Sequence, residues 1–110
     1  MDEQFERQVT LLHASICQAM ADPKRILILY ALSERDLYVH EIAEALDAPQ
    51  STVSRHLKTL RDKGIVAAVR DGGSVKYSLC DPRVIDALDI MRGVLKDMLT
   101  RDADLAQQLV

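Results

Sequence analysis

"VHEIAEALDAPQSTVSRHLKTLRDKG", residues 39–64, decides the fold. Its first eight residues put Val39, Ile42, Ala43 and Leu46 on one face of a short helix, the spacing a 3.6-residue period requires. Asp47-Ala48-Pro49 breaks that helix, because proline lacks an N–H and disfavours helix in the residue before it. A second helix follows over about 50–63, with Gln50 or Ser51 as its cap and Val53, Leu57 and Leu60 turned inward. Gly64 closes it, since glycine accepts the left-handed conformation common past a helix end. Two short helices joined by a tight turn form a helix-turn-helix.

Upstream, Phe5, Val9, Leu12, Ile16 and Met20 recur at three and four and predict a first helix. Asp22 caps a second helix that begins at Pro23 and is apolar almost all round through Ile26–Leu32, as a buried central helix should be. Ser33 to Asp36 reads as a polar connection. Downstream, Ile65–Val69 and the alternating Ser74–Leu79 flank Arg70-Asp71-Gly72-Gly73, which is hairpin-turn chemistry. This hairpin, about 65–79, is a wing. After Cys80-Asp81-Pro82 a last helix of about 82–101 carries Val84, Ile85, Leu88, Met91, Val94, Leu95, Met98 and Leu99, with a frayed or extended tail from Asp102. The expected fold is mainly α with a β-hairpin wing, a winged helix-turn-helix in the order α-α-α-α-β-β-α, as a single domain over 1–110.

The 110 residues suit one domain, and further burial by dimerisation would help a core of that size. Composition is that of an ordinary soluble chain, 48% hydrophobic and 28% charged, with no Trp, so the core must be aliphatic. Asp2, Glu3, Glu6 and Arg7 stand where a signal peptide would need a basic then apolar run, and no apolar run approaches the roughly 20 residues of a membrane span, so a cytoplasmic protein is expected. Net charge is −3, but it is unevenly spread. Residues 50–76 hold six basic against two acidic side chains, leaving +4, while the remainder carries −7. A basic face on an acidic body is what phosphate binding requires, because the local field and counterion release govern affinity.

With Val53, Leu57 and Leu60 inward, Gln50, Ser51, Thr52, Ser54, Arg55, His56 and Lys58 fall on or near the outer surface of the fourth helix. A major groove admits one α-helix, whose polar side chains meet base edges while Lys and Arg hold phosphates. Arg70 and Lys76 flank the wing turn and extend the set toward phosphate or the minor groove. Each feature alone is a cap or a solvated charge; the short helix, tight turn, basic bias and Gly-Gly hairpin together point to double-stranded DNA. A winged helix presented to another protein is the alternative of a different class. His13, His40 and His56 sit in three different helices, and no nucleophile elbow, phosphate loop or metalloprotease motif is present, so an enzyme is not expected.

Three segments, "ADPKRILILYAL" (21–32), "VHEIAEALDAPQSTVSRHLKTLRDKGIV" (39–66) and "GGSVKYSL" (72–79), resemble the ArsR/SmtB winged helix-turn-helix repressors over nearly the whole chain. The resemblance implies a homodimer whose first and last helices pair across a two-fold axis, bound to a palindromic operator and released by a small inducer. It implies no cofactor for DNA binding itself. The family's recurring inducer sites are altered here. Where the arsenic or cadmium type has a cysteine box opening the third helix, "DLYVHEI" (36–42) has Tyr38 and His40. Where the zinc type has histidines on the last helix, Asp81 and Asp97 remain but Arg83 and Val94 replace the imidazoles, and the persulfide-sensing cysteine of the second helix is Tyr30.

Cys17, near the end of the first helix, and Cys80, between wing and last helix, are the remaining effector candidates. They lack CxxC spacing. Three readings stay open: a redox or reactive-sulfur switch; a metal or metalloid site in which Cys17 and Cys80 borrow His13, Asp81 or residues of a second chain; or two buried cysteines acting as small hydrophobes. His13 lies four residues before Cys17, on the same helical face.

Overall fold

The Asp22 carboxylate accepts from the Lys24 amide at 2.8 Å and Pro23 takes the first helical position, so the central helix begins where a missing N–H costs nothing. In the computed structural model, which describes residues 1–108, this helix is α2 (Pro23–Glu34). Before it come α1 (Glu3–Leu12) and a π-helical turn (His13–Cys17). After it come β1 (Leu37–Tyr38), α3 (Val39–Leu46), α4 (Gln50–Asp62), β2 (Val66–Asp71), β3 (Ser74–Leu79) and α5 (Arg83–Gln108).

The core forms where α2, α3 and α4 converge. Ile28 and Leu29 of α2, Ile42 of α3, and Leu57 and Leu60 of α4 are completely excluded from solvent. Leu37, Val66 and Ile65 close it from the sheet side, and among the described residues α5 contributes Leu88 alone. Burial of this kind stabilises at about 25 cal/mol per Å² of apolar surface, which is why the apolar spacing of α3 and α4 dictates how they dock.

Both helices of the helix-turn-helix end alike. At the end of α4 the Ile65 amide donates to the Leu60 carbonyl and Gly64 to Arg61, both at 2.9 Å, with Gly64 at φ +77°. At the end of α3 the Ala48 amide donates to Ala43 at 3.0 Å and Asp47 to Glu44 at 3.1 Å, with Asp47 at φ 50°. Each is the paired closure that satisfies the last carbonyls of a helix, built on glycine in one case and on aspartate in the other.

The expected order holds, with four differences in detail. A third strand is present: β1 pairs antiparallel with β3, Leu37 opposite Tyr77 and Tyr38 opposite Lys76, so the sheet order is β1-β3-β2. The first helix passes into a π turn over His13–Cys17. Pro49, rather than Gln50 or Ser51, is the N-cap of α4. The last helix runs to Gln108, past the expected end near 101, so Asp102–Gln108 is helical, while 109–110 lie outside the described residues.

Candidate nucleic-acid interface

Helix α4 is fixed by its inner stripe. Val53, His56, Leu57 and Leu60 are its buried residues, the i, i+3, i+4, i+7 set of one helical face. His56 was expected on the outer, groove-facing side, and the structure corrects this: it is 6% exposed and faces inward. Its position three after Val53 was the available signal, overridden by the polarity of the residue.

The inward imidazole is matched by α2. Arg25 approaches His56 Nδ1 at 3.3 Å, and since guanidinium can only donate, Nδ1 is the accepting nitrogen and the proton sits on Nε2. Nε2 faces Asp22 Oδ2 at 3.9 Å. Burial, the largest influence, pushes His56 below the ordinary histidine value, with Asp22 acting in the opposite direction. Arg25 also donates to the carbonyls of Ala19 at 2.8 Å and Gln18 at 3.1 Å, and Lys63, just past α4, donates to Ala14 at 2.8 Å. The end of the first helix is thus held by cations from α2 and α4, the charge a helix C-terminus favours.

The outer face of α4 keeps Gln50, Ser51, Ser54, Arg55 and Lys58 exposed, with Thr52 half-buried. Lys58 pairs with Asp62 at 3.0 Å one turn later. Because Pro49 provides no side-chain cap, the first-turn amides of α4 have no side-chain acceptor. In the wing, Arg70 is exposed opposite Val75, and Asp71 faces Ser74 across Gly72, whose φ of +62° makes the turn. Lys76 is half-buried, its Nζ 5.1 Å from the centre of the Tyr38 ring.

The effector candidates are differently placed. Cys17 and Cys80 are both free and exposed in the chain, so the expectation of buried, core-filling cysteines is not met within one chain. Cys80 opens onto a mainly apolar cleft of about 420 Å³ whose walls include Leu12, Ile16, Ile65 and Val84. Asp81 lines the same cleft but is engaged by Arg83, which forks onto it at 2.7 Å, and by the Arg83 amide at 2.9 Å. These bonds hold its pKa at about 2. Asp81 therefore acts as the cap of α5. His13 lies in the π turn with Cys17. Among the described residues no three His, Cys, Asp or Glu side chains gather as a metal site, so Cys17, Cys80, His13 and Asp81 do not form one within a chain.

A helix-turn-helix with an exposed polar recognition face and an adjoining two-stranded wing defines the winged helix-turn-helix class. The sequence profile of the bacterial regulatory protein, arsR family matches residues 22–68. The HTH-type transcriptional regulator NmtR of Mycobacterium tuberculosis is 43% identical over 89 residues, 81% of this chain and 71% of that protein. The HTH-type transcriptional repressor SmtB of the same organism is 40% identical over 75 residues, 68% of this chain but 56% of its own length. The crystal structure of NolR from Sinorhizobium fredii superposes with a TM-score of 0.73 at 29% identity, covering 86% of this chain and 93% of that one. This chain belongs to the ArsR family and is a DNA-binding transcriptional regulator.

Proposed function

We propose that the protein is a cytoplasmic repressor acting as a homodimer on a palindromic operator, its two copies of α4 entering major grooves one helical turn apart. The observation that carries this is the division of α4: Val53, Leu57 and Leu60 at 1% exposure or less inside, Gln50, Ser51, Ser54, Arg55 and Lys58 open outside. The contact set is completed by Thr52 at the edge of that face and by Arg70 and Lys76 of the wing. His56 is left out as a direct contact and serves to seat the helix. Dimerisation is supported by the exposed apolar residues Phe5, Val9, Leu12 and Ile16 on the first helix and Met91, Val94, Leu95, Met98 and Leu99 on α5. Isolated exposed apolar residues are ordinary, but a stripe along two helices marks an interface. A cytoplasmic place agrees with the lack, among the described residues, of any helix long and apolar enough to cross a membrane.

Operator affinity measured against salt tests the DNA reading. Steep decline with rising salt is expected, with Arg55→Ala costing about 1–3 kcal/mol at one operator position and Lys58→Ala weakening all sequences alike. Weak, salt-independent binding, or a protein partner held by α4 without DNA affinity, would refute it.

For release, the reading favoured by two exposed thiols is an inducer that acts through Cys17 and Cys80, by oxidation or reactive sulfur. A metal or metalloid inducer would need ligands from the second chain. Titrating the operator complex with peroxide, polysulfide, arsenite and divalent metals separates the two, and Cys17→Ser or Cys80→Ser is expected to abolish response while sparing DNA binding. Normal response in both variants would end the thiol reading.

A further inference from the structure

A cleft of about 250 Å³ lies between the two DNA-facing elements, lined by Tyr38, Val39, His40, Gln50, Ser74 and Val75. It joins the start of α3, the start of α4 and the first residues of β3 after the wing turn. None of its chemistry is used by the contact set above except Gln50.

Tyr38 organises the cleft. Its ring stacks on His40, centroids 5.8 Å apart and planes at 7°, and the Lys76 ammonium lies over it. Its hydroxyl donates to Asp71 Oδ2 at 2.5 Å, tying β1 to the end of the wing. That bond and burial push the Tyr38 phenol above its ordinary value, so it keeps its donating proton. Its amide donates to Glu41 Oε1 at 3.0 Å, while Glu41 Oε2 accepts from Arg35 at 3.0 Å.

The consequence is electrostatic. Glu41 is neutralised by the Arg35 guanidinium, whereas Asp71 only accepts from the neutral Tyr38 hydroxyl and keeps its charge, set against the Lys76 ammonium that lies over the same ring. What remains facing the cleft is the exposed His40 imidazole, the Gln50 amide and the Ser74 hydroxyl, all able to donate, with the Lys76 charge close by. Such a set of donors suits an anion, and it lies between the recognition helix and the wing, the two elements that the DNA reading above sets on the duplex.

We propose that this cleft seats a backbone phosphate of the bound DNA, with His40 donating directly to it and Tyr38 positioning both His40 and the wing. The proposal rests on the DNA-contact reading above and adds to it a contact that carries no base information.

A random-sequence duplex, titrated by fluorescence anisotropy at low salt, is a sufficient probe because phosphate contacts are sequence-independent. His40→Ala is expected to weaken binding about tenfold, the scale of one hydrogen bond to a charged group. His40→Gln, which keeps an N–H donor, should recover most of the loss, and His40→Glu should lose more than His40→Ala by repulsion. The His40 ring nitrogen resonances should shift on adding duplex, and inorganic phosphate should compete only at concentrations that weaken the whole complex. His40→Glu binding as well as wild type, or Ala, Gln and Glu variants all losing affinity equally, would overturn the proposal. Wild type failing to bind any duplex would instead overturn the DNA-contact reading, so the two failures are distinguishable.

Discussion

Helices α4 and α5 are opposite solutions to the same problem of what a helix does with its apolar side. In 13 residues α4 buries four, and its inner face is completed by α2 and α3. In α5, 26 residues long, Leu88 is the only buried one among the described residues, and Met91, Val94, Leu95, Met98 and Leu99 are about half exposed or more. An isolated helix gains most of its stability from packing an apolar face, so α5 without a neighbour on that stripe is under-supported while α4 is not. The unfinished surface of α4 is polar and basic, and that of α5 is aliphatic. The difference assigns them different partners, nucleic acid for one and a second copy for the other.

Leu57, in the buried stripe of α4, has no solvent exposure. Leu57→Ala removes the central anchor of α4, and a loss of about 3 kcal/mol is expected, read as a lowered denaturant midpoint. Because the core is shared, DNA binding and assembly should both decline near the new transition. Leu95→Asp with Met98→Asp should instead separate the two surfaces. Sedimentation equilibrium is expected to show monomer, and operator affinity to fall about 100-fold or more as the second half-site loses its tether. A dimer surviving both changes would show that α5 is not the interface.

Smaller in effect, and confined to the inner side of α4, is a dependence on pH. Burial lowers the His56 pKa below the unfolded value of 6.5, helped by Arg25, Arg55 and Lys24 and opposed by Asp22. The unfolded chain therefore binds the extra proton first, and stability rises with pH in that window. The contribution is complete above the unfolded value and is lost as pH falls below it toward the folded value. Thermal melts should drop as pH falls from about 7 through the unfolded value of 6.5, and His56→Gln, which can still accept from Arg25, should flatten that slope. Asp22 itself is lowered, chiefly by the Lys24 amide, so its own loss comes only at more acid pH and does not overlap this window.

How much was legible in the chain follows from where each signal lies. Val53, Leu57 and Leu60 at helical spacing, Pro49 before them and Gly64 after them locate α4 because every clue is local. β1 has two residues and exists only through its hydrogen bonds to Tyr77 and Lys76 far along the chain, so no periodicity announces it. The π turn leaves the three-and-four spacing of Val9, Leu12 and Ile16 intact and is equally silent. A frayed or extended tail was expected from Asp102, where α5 instead continues to Gln108. At the interface the outward residues of α4 were accessible to reading, but His56 was placed by its polarity and not by its position in the stripe. The role argued for His40 needed the stack on Tyr38 and the wing folded over it, which only the tertiary structure brings together.

The smallest expected effect lies at the closure of α3. Asp47 and Gly64 close their helices with the same pair of hydrogen bonds, but Asp47 holds φ 50° and ψ 50° with a side chain attached. A left-handed conformation crowds Cβ against the backbone, and aspartate tolerates this less well than glycine. Asp47→Gly relieves that crowding but also frees the unfolded chain, so the net gain is about 0.5–1 kcal/mol. It should appear as a rise of a few degrees in melting temperature at unchanged sedimentation, since nothing on α5 is altered. A lowered melting temperature would mean that the Asp47 carboxylate holds the turn, and that the two helix ends are alike in hydrogen bonding only.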